Sequence, residues 1–138
     1  MRFEEKIIIK SSPEKIFSAY ENVSGWSIWD PEVQSSSING KPIVGAKGKL
    51  KPTKGPEANI EITEVTKYES FTVISKLPLC TMTFEHKLTS LAKDTEVVHR
   101  VVFTGLLSPL FGRLIGSEIQ KGLPSTLQGL KKTIEAKD

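Results

Sequence analysis

Apolar and polar positions change their rhythm twice along the chain. Phe3, Ile7 and Ile9 fall at alternate positions and predict a strand over residues 3–9. Ser12 followed by Pro13 reads as a helix N-cap and first helical position, where the missing N–H of proline costs nothing. Ile16, Phe17, Tyr20 and Val23 then recur at helical spacing, and Gly25 to Pro31 predicts a short helical turn. From residue 32 to 104 the rhythm is period two, with strands expected at 33–39, 44–52, 57–67, 69–77, 79–89 and 94–104.

The last three strands alternate most cleanly. Phe71, Val73 and Ser75 share one face, as do Cys80, Met82, Phe84, His86 and Leu88, and Val97, His99, Val101 and Phe103. Thr81, Thr83, Glu85, Lys87, Glu96 and Arg100 occupy the opposite, wet face. A turn near Ala92-Lys93-Asp94 joins the last two strands as a hairpin. Helical spacing then returns: Leu110, Phe111, Leu114, Ile115, Ile119, Leu123, Leu127, Leu130 and Ile134 form one long stripe, with Pro124 expected to kink it. The order predicts an α+β fold, one domain over residues 1–138. A curved antiparallel sheet of about seven strands carries two short helices after its first strand and is covered by the long C-terminal helix.

Composition excludes several classes. With 38% hydrophobic and 25% charged residues, the chain is neither a disordered tail nor a fibrous repeat. No apolar run reaches the ~20 residues of a spanning helix. The formal charge of +3 is spread over scattered lysines, and the longest basic run is Lys131-Lys132. Nucleic acid is therefore not an expected partner. The single Cys80 forms no internal disulfide, and Met1 to Lys6 lacks the basic-then-apolar order of a signal peptide, so the cytoplasm is the expected compartment.

The Ser-Pro-Glu-Lys-Ile-Phe run from Ser12 to Phe17, with Trp26-Ser27-Ile28-Trp29-Asp30-Pro31, resembles the START-like (SRPBCC) superfamily. The Gly-Arg-Leu-Ile-Gly segment from Gly112 and the later Leu-Gln-Gly-Leu-Lys ending at Lys131 resemble its polyketide cyclase/dehydrase branch. That resemblance implies a helix-grip, in which the sheet wraps around the long C-terminal helix and leaves an apolar cavity between them. It implies no cofactor and no universal catalytic motif, since the superfamily includes lipid carriers, aromatase/cyclases, hormone receptors and chaperone activators.

The expected cavity lining comes from Leu50, Ile62, Phe71, Val73, Met82, Phe84, Val101 and Phe103 on the strands, with His86 and His99 among them. Phe111, Ile115 and Ile119 face it from the helix, and Trp26 and Trp29 either wall one end or staple the short helices to the sheet. Gly112, Gly116 and Gly122 either bring the helix close to the sheet or leave space unfilled. With the turn as placed, Phe84 pairs with His99 and His86 with Val97, so the imidazoles are diagonal neighbours roughly 7–8 Å apart. Such histidines serve a ligand or a proton transfer, or are core residues bonded to backbone. Cys80 is too distant to complete a metal site or a Cys–His nucleophile and reads as a small apolar core residue. Glu118 lies at the edge of the apolar stripe, facing either the cavity or the solvated flank, and Arg113 lies away from its centre.

Three functions follow. The first is binding or carriage of a hydrophobic small molecule (lipid, polyketide-like or aromatic). The second is a cyclase/dehydratase-type enzyme using His86, His99 and Glu118. The third is a ligand-free module for a protein partner. Stable membrane insertion is not expected; transient contact through Leu106 to Phe111 is compatible with the first. Oligomeric state is left open.

Overall fold

A computed structural model describes residues 1–137. Strand β1 spans Arg2–Ile9, helix α1 Pro13–Glu21 and helix α2 Trp26–Trp29, with a 3-10 turn at Val23–Gly25 between the helices. Six strands follow: β2 Val33–Ile38, β3 Lys47–Pro52, β4 Ala58–Thr66, β5 Ser70–Leu77, β6 Cys80–Leu91 and β7 Asp94–Thr104; helix α3 closes the chain at Ser108–Ala136. The seven strands form one sheet in the order β1-β7-β6-β5-β4-β3-β2, antiparallel throughout. This is the expected helix-grip order.

Local signals explain the boundaries. Ser12 caps α1 by accepting from the Lys15 N–H. Pro78-Leu79 links β5 to β6 with Leu79 at φ 54°, and Ala92-Lys93 links β6 to β7 with Ala92 at φ 53°. The second turn is two residues long, with Leu91 opposite Asp94, which corrects the predicted hairpin register by two residues. His86 lies directly opposite His99, Phe84 opposite Val101 and Leu88 opposite Val97. A left-handed turn residue that is neither glycine nor asparagine leaves no mark in the sequence, so the shorter turn was not readable.

Helix α3 lies along β1. Its C-terminal end is tied there by Lys131 Nζ donating to the Ile8 carbonyl and by the Lys10 N–H donating to Glu135, each at 2.8 Å. The helix runs through Pro124 without splitting, and two residues on Thr126 donates to Asp30 at 2.8 Å. Its glycines mark close approach. A Cβ on Gly112 would meet the Met1 side chain, on Gly116 the Phe3 ring, on Gly122 the Glu32 carboxyl and on Gly129 the Trp29 carbonyl oxygen.

The core has two parts. Leu127, Leu130 and Ile134 of α3 are buried with α1, α2 and the middle of the sheet, whereas Phe111, Ile115, Ile119 and Leu123 stay half-exposed above Cys80, Met82, Val101 and Phe103. The far half of the helix buries its apolar side chains completely, whereas the near half, close to β1 at Gly112 and Gly116, leaves its large apolar side chains part-exposed.

Gly129→Ala is expected to lower stability by about 1–3 kcal/mol in urea unfolding, because backbone must move to admit the methyl. Gly112→Ala meets only the half-exposed, flexible Met1 side chain, so the better helix propensity of alanine, about 1 kcal/mol, leaves it neutral or stabilising. Equal effects of the two would contradict the packing described.

Candidate functional site

One row across the inner face of the sheet carries a carboxyl and two imidazoles. Glu5 of β1 pairs with His99 of β7, His99 with His86 of β6, and His86 with Phe71 of β5. Tyr20 descends onto this row from α1, its hydroxyl 2.8 Å from His99 Nε2, a buried hydrogen bond. The His86 and His99 rings stand 4.6 Å apart and nearly perpendicular, with the Tyr20 ring 4.9 Å from His86. Trp29 closes the group 6.4 Å from His99, and its buried Nε1 has no partner among the described residues. The Trp26 Nε1 donates to the Tyr20 carbonyl at 3.0 Å, so this tryptophan pins α1 in place.

These bonds place the protons. His86 Nδ1 lies 2.7 Å from the Phe71 carbonyl, which only accepts, so Nδ1 carries the hydrogen and Nε2 is left as an acceptor. The Tyr20 hydroxyl has no other acceptor among the described residues, so it donates to His99 Nε2, and the His99 proton sits on Nδ1. Burial pushes the Tyr20 hydroxyl pKa upward, which keeps it a donor. Burial also pushes His86 down to about 4, against the Phe71 hydrogen bond and Glu85, and holds His99 well below its ordinary value. Both imidazoles are therefore neutral near pH 7.

The rings are enclosed but not sealed. His86 keeps part of its surface accessible although protein surrounds it. Neither His86 Nε2 nor His99 Nδ1 has a protein partner among the described residues, and neither is among the fully buried unpartnered atoms. Each therefore keeps a small accessible surface of its own.

Of the other candidates, Ile62, Phe71, Val73, Trp26 and Trp29 belong to the tight part of the core, with Leu50 packed at its margin. Met82, Val101 and Phe103 form the floor of the looser part, and Phe84, Phe111, Ile115 and Ile119 are half-buried against it. Cys80 is buried there as a small apolar residue, and Arg113 and Glu118 are exposed. Among the described residues no three metal-ligating side chains cluster. Two open surface grooves, one beside Tyr68 and Leu88 and one between α1 and the end of α3, include neither histidine. Sequence reasoning missed Tyr20 and Glu5 as site residues. Glu5 was detectable as the one polar residue interrupting the Phe3, Ile7, Ile9 alternation.

The exterior adds a second feature. Leu79, Leu106, Leu110 and Leu114 are exposed by 64, 80, 49 and 66% at the start of α3, an apolar patch that takes in Leu106 and Leu110 of the apolar Leu106 to Phe111 segment and adds Leu79 and, from the helix stripe, Leu114. Segments 1–3, 76–84 and 101–117, which meet there, contain Arg2, Lys76 and Arg113 and no acidic residue. No described helix is long and apolar enough to cross a membrane.

A family model described as polyketide cyclase/dehydrase and lipid transport matches residues 1–135. Among solved structures, TTHA0849 from Thermus thermophilus superposes with a TM-score of 0.79 at 15% identity, covering 100% of this chain and 99% of that one. Ara h 8.0201 gives 0.76 at 14% identity, covering 99% and 98%. The di-domain ARO/CYC StfQ from the steffimycin biosynthetic pathway gives 0.78 at 13% identity, covering 99% of this chain and 51% of that one. These likenesses show the fold. No curated protein matches the sequence.

Between pH 7 and 5 stability is expected to fall as acid is added. The unfolded imidazole titrates near 6.5 and the folded His86 near 4, so the unfolded state binds more protons in this window. His86 alone accounts for roughly 2 kcal/mol of the loss by pH 5. Urea unfolding at several pH values should show this slope, and His86→Leu should flatten it by about that amount; a wild-type profile flat from 7 to 5 would contradict the buried neutral pair.

Proposed function

The chain belongs to the polyketide cyclase/dehydrase and lipid-transport family, and from that premise we propose that it binds and carries a hydrophobic small molecule between the sheet and the first half of α3. The observation carrying this reading is the contrast along one helix. Leu127, Leu130 and Ile134 are buried, whereas Phe111, Ile115, Ile119 and Leu123 keep apolar surface uncovered. Leaving such surface uncovered forfeits about 25 cal/mol per Å², which a bound apolar molecule recovers. The two imidazoles, next to Phe84 and Val101 on the same strand faces, give it a small polar anchor, the usual makeup of a ligand pocket.

A cyclase or dehydratase reading draws on the open His86 Nε2 and on the ARO/CYC assignment of StfQ. Against it stands the low basicity of His86, whose pKa near 4 makes it a weak acceptor for a proton on carbon at neutral pH. Glu118 is exposed on α3, and the hydrogen bonds of the two histidines go to Tyr20 and Phe71 instead. Carriage is the better-supported reading. The leucine patch with Arg2, Lys76 and Arg113 suits delivery at an anionic lipid surface, apolar residues entering the interface and cations meeting the headgroups.

Two measurements check these readings. N-phenyl-1-naphthylamine, a neutral fluorescent probe, should bind the wild type, and Ile119→Trp should weaken it at least tenfold while moving Tm by only a few degrees. A solid interior would instead give no probe binding and a Trp variant destabilised by overpacking, about 1–3 kcal/mol. Leu110→Asp with Leu114→Asp should reduce cosedimentation with phosphatidylglycerol-containing vesicles several-fold and leave probe affinity unchanged; vesicle binding that survives both changes would rule the patch out.

A further inference from the structure

The binding reading leaves open what kind of molecule the interior selects, and the protons of the polar row bear on that. Two ring nitrogens on this row have no protein partner among the described residues and are not fully buried. His86 Nε2 is an acceptor because its Nδ1 hydrogen is committed to the Phe71 carbonyl, and His99 Nδ1–H is a donor because its Nε2 takes the Tyr20 hydroxyl proton. The rings carrying them are 4.6 Å apart. An acceptor and a donor side by side match a hydroxyl, which donates its hydrogen and accepts through its oxygen.

The rest of the surface limits charge. The inward positions of β1, β5, β6 and β7, read from the strand register around Phe3–Val101 and Phe71–His86, include no Lys or Arg among the described residues. Neither do the half-buried and buried positions of the α3 stripe. Among the described residues at these strand positions the one carboxyl is Glu5, half-buried opposite His99. A carboxylate or phosphate taken into this interior would find no cation, and an unpaired buried charge costs several kcal/mol. We propose that the His86–His99 pair recognises a neutral hydroxyl on an otherwise apolar ligand, a phenol or alcohol and not a carboxylic acid or phosphate ester.

This selectivity rests on the binding reading and deepens it. In the complex the ligand O–H donates to His86 Nε2 and the ligand oxygen accepts from His99 Nδ1–H. No proton changes owner, so the site needs no titration to work. Both histidines are neutral near pH 7, so neither supplies a cation to an anionic competitor.

Calorimetric titration at pH 7 with three matched compounds tests the proposal: 2-naphthol, 2-methoxynaphthalene, which lacks the donor hydrogen, and 2-naphthoate, which is anionic. Naphthol should bind at least tenfold tighter than either of the others. His86→Leu should bring naphthol to the level of the methoxy compound without weakening the latter. Independently of any variant, nitrogen-15 NMR of the ligand-free wild type should show His86 protonated at Nδ1 and His99 also at Nδ1. Naphthoate binding as tightly as naphthol, methoxynaphthalene matching naphthol, or a His86 proton on Nε2 would overturn the selectivity while leaving ligand binding intact. Binding of none of the three would overturn the binding reading itself and this proposal with it.

Discussion

The hydrogen bond between the Tyr20 hydroxyl and His99 Nε2 ties a helix to the centre of the sheet and at the same time decides where a proton sits. Tyr20 has its ring among Phe17, Phe71 and Trp29 and its hydroxyl on His99, so α1 cannot shift without stranding a buried hydroxyl. With His99 Nε2 occupied, its other nitrogen becomes a donor, and with His86 Nδ1 held by the Phe71 carbonyl, the neighbouring ring presents an acceptor. Burial keeps both rings neutral, so this arrangement persists across the physiological range.

The sheet fixes the same register from its outer side. One residue away from the Glu5–His99–His86 row, on the opposite face, Arg100 lies between Glu4 at 2.7 Å and Glu85 at 3.5 Å. Such exposed ion pairs add little stability. Their value is in register, because a slip of one residue would put Arg100 and its acids inside and the imidazoles in water. Period-two alternation therefore separates a charged outer row from a neutral inner row across the same three strands.

Most of the architecture was legible. Alternation marked the strands to within a few residues, Ser12-Pro13 marked the start of α1, and the stripe from Leu110 to Ile134 marked the closing helix. The site was legible only in part. Both histidines were identifiable on apolar faces, but their direct pairing depended on a two-residue turn whose left-handed position is filled by Ala92, for which the sequence carries no signal. Tyr20 looked like one more apolar-face residue, since only the packing of α1 over β7 gives its hydroxyl a partner. The α3 glycines were visible, but their partners Met1, Phe3, Glu32 and the Trp29 carbonyl come from elements distant in sequence. Pairings across distant elements are set by tertiary packing, which periodicity does not encode.

Diffraction from crystals pressurised with xenon reads the space under the first half of α3 without any chemical recognition, because xenon settles in unfilled apolar space. Xenon is expected between Phe84, Ile115 and Ile119, within reach of His86, with none beneath Leu127, Leu130 and Ile134. Xenon absent from the first region, with the side chains in contact there, would contradict the binding reading.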